Sequence, residues 1–422
     1  MIVPADVRGN ILSFWGGFAR QKSGGAAIPM DSEPIYLAGS EIGEVRPLSP
    51  YHDTVCRFLD ALSHELLNDP SCKAYPDITA VAFWARRGNI ERLKKRMGND
   101  EIRIGRGLAF HVTPSNMPVQ FIFSYMFGLL AGNANIVRVT TKDYPEITLI
   151  CDVLKRVLED FPELRAMTAI LRYPKESNWT EKFSARCQVR LIWGGDDTIQ
   201  MIRKCPIPPR ATELVFPDRY SLALLNAAAI EKENETKLQR LAQNFYNDTY
   251  WVDQNACSSP QLILWLDGAS HVQGKERFWA ALDKLAEKRY DLPPIKVTSK
   301  YADLCRNALQ FPQTGALHAE SNYLYRVPLQ SLSENIENLR GRFGLFYEYD
   351  IKELEELNAI VSGKYQTLTY YETDPQALAE TVRASRWPGI DRIVPVGKAL
   401  DIDVIWDGYD LVREMSRIVD VR

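Results

Sequence analysis

A single cysteine, in the run Trp251-Val252-Asp253-Gln254-Asn255-Ala256-Cys257-Ser258-Ser259-Pro260, carries the sharpest chemistry in this chain. A thiol packed as a small hydrophobe usually sits inside an apolar helix or strand. Cys257 instead follows a charged helical stretch ending near Asn244 and precedes the apolar strand Gln261 to Leu266, which places it on a connection. Amides and hydroxyls flank it, and their dipoles can lower a thiol pKa from about 8.5 and so favour a nucleophilic thiolate. A buried structural cysteine in a polar loop is the competing reading. Local context alone does not separate the two, because the helpers of a nucleophile lie far away in sequence.

Three further stretches have chemical content. In Thr113-Pro114-Ser115-Asn116-Met117-Pro118 two prolines restrict the backbone on either side of Asn116, whose carboxamide is either a rigid hydrogen-bond donor or a turn-capping group. Gly132-Asn133-Ala134-Asn135-Ile136-Val137-Arg138 is a glycine turn feeding a strand that ends in a guanidinium able to clamp a ribose or phosphate. Trp193-Gly194-Gly195-Asp196-Asp197-Thr198-Ile199 is a strand-to-helix turn that would let a phosphate approach a helix N-terminus, or is simply a tight turn, since it lacks GxGxxG.

The elements that must position these groups follow one rhythm. Apolar strands at Gly107–Val112, Asn135–Val139, Ala169–Tyr173, Gln188–Trp193 and Ser221–Leu225 are separated by helical patterns, including one from about Val119 and one from Tyr144 to Asp160. Strand-helix-strand repeats predict a parallel sheet covered on both faces, with ligands bound where loops leave the carboxyl ends of the strands. Helical spacing also runs from Tyr51 to Leu67 and from Ile78 to Met97, the latter with a basic half (Arg86, Arg87, Arg92, Lys94, Lys95, Arg96) that reads as a solvated face. Beyond the cysteine, helices near 275–290, 300–309, 352–361 and 375–385 alternate with strands near 323–327, 345–349, 365–371 and Ile393.

A length of 422 residues exceeds what one hydrophobic core supports and predicts two domains. We place an N-terminal arm at 1–50, a cofactor domain at 51–245, a catalytic domain at 246–370 and a C-terminal segment at 371–422 returning to the cofactor domain or to an oligomer interface. The 25% charged and 45% hydrophobic composition, with a net charge of -3, is that of a soluble globular protein and gives no reason to expect nucleic acid. Seven dispersed cysteines, without CxxC or a metal-like grouping with the five histidines, fit reduced thiols and no bound metal in a cytoplasmic enzyme. The N-terminus lacks a secretory pattern. The longest apolar run, Phe121 to Ala131, is too short for the roughly 20 residues of a membrane span.

The order of these pieces resembles the aldehyde dehydrogenase superfamily: Pro114-Ser115-Asn116-Met117-Pro118, then Ala131-Gly132-Asn133 with a cation six residues after the glycine, then the double-glycine turn, then the loop cysteine. The runs 110–138, 191–199, 253–261, Lys364 to Tyr370, Gly389 to Gly397 and Ile405-Trp406-Asp407-Gly408-Tyr409-Asp410-Leu411 resemble, more narrowly, the LuxC-type acyl-CoA reductases. The resemblance implies an α/β fold with a Rossmann-like cofactor domain and an α/β catalytic domain. It implies Cys257 as nucleophile and Asn116 as oxyanion donor. Thr113, Pro114, Ser115, Arg138, Thr141, Gly194 and Gly195 fall on the cofactor side. Thr141 stands where many NAD-preferring relatives carry a glutamate, which favours NADP(H). The nearest counterpart of the family's general base, Glu213 in Thr212-Glu213-Leu214-Val215-Phe216-Pro217, lacks the flanking glycines.

On this reading an acyl-CoA, or an acyl-protein thioester, acylates Cys257 and is reduced to the aldehyde. An acyl-protein synthetase partner and a homo-oligomer accompany it. The alternatives are a cysteine-dependent acyltransferase or thioesterase without hydride transfer, and a non-catalytic subunit of an acyl-transfer complex. Glu348, on the strand near 345–349, is either a ribose-orienting carboxylate or a solvated strand residue.

Overall fold

Short apolar runs bracketed by amphipathic helices assemble as the alternation predicts, and the computed structural model describes residues 33–44, 46–98 and 100–422. Residues 1–32 of the expected arm lie outside the described residues. The arm's later part is not merely extended: β1 (Ile35–Gly39) pairs antiparallel with a strand of the first sheet. Helices α1 (Asp53–Asn68), α2 (Pro76–Ala85) and α3 (Arg87–Met97) follow, and the expected single helix over 78–97 is two, broken at Arg86 with its non-helical ψ of 142°. The basic side chains at 86–96 are exposed, as a solvated face requires.

After β2 (Arg103–Gly105) come β3 (Leu108–Val112), α4 (Gln120–Leu130), β4 (Ala134–Arg138), α5 (Pro145–Glu159), α6 (Pro162–Ala166), β5 (Thr168–Arg172), α7 (Trp179–Arg186), β6 (Val189–Trp193), α8 (Asp196–Arg203) and β7 (Thr212–Phe216). The sheet order is β1-β5-β4-β3-β6-β7, parallel throughout except for β1. Every residue of α4 is buried, as its all-round apolar sequence demands. Strand order reverses between β3 and β6, so the loops leaving those two strands open a crevice at the sheet's carboxyl edge.

The second sheet takes β8 (Tyr220–Asn226), then, after α9 (Ala227–Lys232) and α10 (Glu235–Thr249), β9 (Pro260–Leu266). Helices α11 (Val272–Arg289) and α12 (Pro294–Gln310) lead to β10 (His318–Ala319), β11 (Tyr325–Pro328) and β12 (Leu345–Ile351). Next come β13 (Tyr365–Tyr371), α13 (Pro375–Ser385) and β14 (Arg392–Pro395). Its order is β10-β11-β12-β9-β8-β13-β14. The helix expected over 352–361 is a 3-10 turn at Leu354–Ala359.

The chain changes sheet between Phe216 and Tyr220, ahead of the boundary placed at 245/246, which falls inside α10. A parallel neighbour requires a crossover of about a dozen residues, and three residues between β7 and β8 cannot supply one, so β8 founds a second sheet. The C-terminal segment serves both halves. While β14 extends the second sheet, Val404, Leu411, Val412 and Met415 pack into the first core. There the hairpin β15 (Ile405–Trp406) and β16 (Tyr409–Asp410), then α14 (Leu411–Glu414) and β17 (Ser416–Ile418), close the chain, with β17 paired to β2.

One polar network lies inside the first core. His111 on β3 is fully buried, with Nδ1 2.8 Å from Ser124 Oγ and Nε2 2.9 Å from Asn135 Oδ1, while Trp193 Nε1 donates to the same Ser124 hydroxyl at 2.9 Å. A neutral ring protonated on Nε2 satisfies it. Burial pushes its pKa down to about 4. Below about pH 6.5 the unfolded state therefore takes up a proton that the folded state refuses, and stability falls as pH drops from 6.5 toward 4. The buried carboxyls Asp248 and Asp407, raised to about 7 and about 6, act in the opposite sense over much of that window. The difference between wild type and His111→Asn isolates the histidine: urea midpoints should converge or cross in favour of the variant on acidification, by on the order of 3 kcal/mol at full effect. A pH-independent difference would show that His111 does not stay neutral.

Candidate active site

The loop from β3 to α4 carries Thr113, Pro114, Ser115 and Asn116 on one side of the crevice, and the β6-α8 turn carries Gly194 and Gly195 on the other. Thr113 is anchored to the end of β4, its N–H and Oγ1 donating to the Arg138 carbonyl at 3.2 and 2.8 Å. The Tyr144 hydroxyl donates to Ser115 O at 3.0 Å and ties the loop to the connection that carries Thr141. Asn116 is exposed, and among the described residues its carboxamide makes no hydrogen bond. The fold thus gathers the predicted groups of the first sheet at one edge.

Cys257 comes to that edge from the second sheet. Ser221 at the start of β8 lies in register with Pro260 of β9, and its hydroxyl donates to Cys257 O at 2.7 Å. The main-chain N–H of Arg219, on the link between the two sheets, acts on the thiol itself. The same link follows Phe216, whose carbonyl accepts from Gly194 N at 3.2 Å. The amino end of β8 and β9 therefore meets the carboxyl end of β6 and β7, and the partly accessible cysteine sits at that junction.

The loop reaches Cys257 through two consecutive left-handed residues, Asp253 at φ 54° and Gln254 at φ 59°, a conformation that non-glycine residues hold only when surrounding contacts impose it. Those contacts are present. Asp253 accepts from Lys296 Nζ at 2.8 Å and from the Tyr290 hydroxyl. Gln254 bridges Gly344 N at 2.8 Å and Leu345 O at 3.0 Å, while Gln261 donates to Gln254 O at 3.0 Å and accepts from Gly341 N at 2.9 Å. The Gln254 and Gln261 amides are fastenings of the loop.

The thiol pKa is accordingly raised, not lowered as the flanking residues suggest. Burial dominates; the Arg219 N–H pulls the other way, Asp218 and Asp407 push further up, and Arg340 pulls down. Two other expectations change. Glu213 accepts from the buried Arg190 through Nε at 2.8 Å and again through Nη2, and from Arg203 Nε at 2.6 Å. A carboxylate taken up by two guanidiniums is a structural ion pair and not a base. Glu348 is not a solvated strand residue: it is buried and accepts from Trp265 Nε1 at 2.7 Å and Trp279 Nε1 at 2.9 Å.

Asp407, Arg219 and Arg340 were not singled out from the sequence. Asp407-Gly408 reads as a turn signal and Pro217-Asp218-Arg219 as another. Nothing local marks either as facing a cysteine, although the run holding Asp407 is one of those that carry the family resemblance.

The residues at the first sheet's edge fit a nicotinamide cofactor. The buried Nε of Arg138 finds no hydrogen-bond partner among the described residues, a donor that calls for an acceptor, and its guanidinium lies 5.1 Å from the centroid of the Tyr173 ring. Around Gly195 the direction a side chain would take is open, with nothing among the described residues within 4 Å. Asp196 and Asp197 already complement the α8 dipole, so the turn offers space more than charge, and Arg138 supplies the cation.

Two parallel sheets meeting at a loop cysteine define the aldehyde dehydrogenase class of fold. A NAD-dependent benzaldehyde dehydrogenase from Corynebacterium glutamicum superposes with a TM-score of 0.58 at 12% identity, over 88% of this chain and 85% of that one. Aldehyde dehydrogenase 21 from Physcomitrella patens gives 0.61 at 14%, over 87% and 86%. The model of the family described as acyl-CoA reductase (LuxC) matches residues 85–418, and the chain belongs to that family. A long-chain acyl-protein thioester reductase from Vibrio harveyi is 23% identical over 321 residues, which are 74% of this chain and 63% of the relative, so the match spans less than two thirds of that protein. Among the described residues no helix is long and apolar enough to cross a membrane.

Proposed function

We propose that the protein is an NADPH-dependent acyl-CoA reductase that forms an aldehyde through an acyl-Cys257 thioester. The observation that carries this reading is the junction itself: the amino end of β8, whose Ser221 holds the main chain of the partly accessible Cys257, follows the carboxyl end of β7 by three residues, and β7 is tied there to the Gly194 turn. The first sheet is the cofactor unit and the second the catalytic unit, with the boundary at 217–219.

Cys257, once ionised, attacks the thioester carbonyl, and the Asn116 carboxamide holds the developing oxyanion. Carbon–sulfur cleavage releases the acyl donor's thiolate and leaves the acyl group on Cys257. The nicotinamide, when bound, supplies the hydride that reduces this thioester. Collapse at the same carbon then returns the Cys257 thiolate and frees the aldehyde. With Glu213 committed to Arg190 and Arg203, no carboxylate in that position activates water, which favours reduction over hydrolysis. A cytoplasmic setting, homo-oligomeric assembly and an acyl-protein synthetase as donor partner belong to the same proposal.

Incubation with acyl-CoAs of graded length and NADPH, following absorbance and aldehyde together, tests it. With the cofactor omitted, labelled acyl-Cys257 should accumulate and clear slowly; prompt release of free acid at the rate of the NADPH-dependent turnover would make the protein a thioesterase.

Cofactor choice gives a second measurement. With Arg138 facing the adenosine 2'-phosphate, and the exposed Thr141 carrying no charge against it, Arg138→Ala should weaken NADPH by about tenfold or more and NADH less. Thr141→Glu should shift preference toward NADH by like-charge repulsion. Equal losses for the two cofactors in Arg138→Ala would place the guanidinium away from the phosphate.

A further inference from the structure

Arg219 is a buried arginine two residues before Ser221, whose hydroxyl bonds the Cys257 carbonyl, and the reaction scheme leaves it without a task. Its Nε donates to Lys364 O at 3.1 Å and Nη2 to Tyr365 O at 2.7 Å. Nη2 also bonds the Asp391 carboxylate, and Nη1 lies 3.8 Å from Asp407 Oδ1. Its own carbonyl accepts from Arg340 Nη2 at 2.9 Å, and Arg340 pairs with Asp218 at 2.9 Å. One side chain therefore fastens the link between the sheets to β13, to the loop before β14 and to the C-terminal hairpin. Asp407 is held in turn: its side chain is only 2% exposed, it accepts from Gln366 Nε2, and it sits at φ 49° in the β15-β16 turn.

Building on the nucleophile reading of Cys257, we propose that Arg219 is a positioning residue: the carboxylates of Asp391 and Asp407 fix its guanidinium, and the guanidinium fixes the main chain that, two residues on at Ser221, bonds the Cys257 carbonyl at 2.7 Å. The hairpin that packs on the first core is thereby coupled to the thiol on the second sheet. Charge is part of the device. The thiol feels Asp218 and Asp407 against Arg340, and Asp407 in turn faces Arg219, Asp391 and Arg392, with Tyr409 nearby. Arg219 lies against the Asp407 carboxylate, which bears in turn on the thiol.

The readout is the pH profile of Cys257 alkylation by iodoacetamide in the full chain without substrate. It should be followed peptide by peptide by mass spectrometry, so that the exposed Cys305 is scored apart. Asp407→Asn, nearly isosteric, removes a negative charge and should move the midpoint down by about half a unit or more. Arg340→Met should move it up. Arg219→Ala strips Asp407 of its cation and should also move it up, and adding Asp407→Asn to that variant should bring it back down. Shifts of one common sign, or an unchanged midpoint in folded Arg219→Ala, would overturn the proposal. Because the profile reads the thiol directly, it stands even if no acyl-CoA is reduced, whereas loss of the aldehyde with these shifts intact would sink only the reductase reading.

Discussion

Cys257→Ala will lose acyl-enzyme formation and aldehyde production together, by several orders of magnitude, because no other thiol shares its place at the junction of the two sheets. Cys151 and Cys187 lie in the first core with their pKa values pushed up to about 12 by burial, so they are inert at neutral pH. Single substitution of each of the other six cysteines should leave acylation intact. Labelled acyl-CoA followed by peptide mapping checks both halves, and stoichiometric label on the Cys257→Ala protein would move the nucleophile elsewhere. The raised thiol adds a pH signature. A group that is mostly protonated at neutrality makes acylation climb with pH, about tenfold per unit well below the thiol pKa, until the thiolate saturates.

Asn116→Ala should slow acylation by about two to three orders of magnitude while changing substrate affinity little, because an oxyanion donor acts on the transition state more than on bound substrate. Single-turnover acylation without cofactor measures this step alone. The exposed, unbonded carboxamide can be removed without leaving a buried group unsatisfied, so the thermal stability of the variant should stay near that of wild type. A large loss of stability, or a rise in KM with kcat unchanged, would make Asn116 a structural or ground-state binding residue.

How much of this was legible depends on whether the signal is local. The strands at 108–112, 134–138, 168–172 and 189–193 could be placed because a buried parallel strand is a short continuous apolar run whatever it pairs with. The β3-α4 loop and the β6-α8 turn were found the same way: punctuation by proline and glycine follows from backbone sterics alone. The strand β1 was hidden, since an edge strand in a segment of Gly and Pro residues is held by its partner β5 and not by its own periodicity.

The sequence by itself determined the alternation of strand and helix, the place of the β3-α4 loop and the β6-α8 turn at the sheet's carboxyl edge, the place of Cys257 on a connection, and enough motif spacing to indicate the family, whereas the Gly132 turn enters β4 at the opposite, buried edge. Only the tertiary structure decided which groups act on that cysteine. Arg219 meets Asp391 and Asp407, 172 and 188 positions further on, and Glu213 meets Arg190 on a neighbouring strand. The direction of the thiol pKa was decided there too. Flanking dipoles are local and can be read along the chain, but desolvation and Coulomb interactions depend on what the fold brings within a few ångströms, and here burial outweighs them.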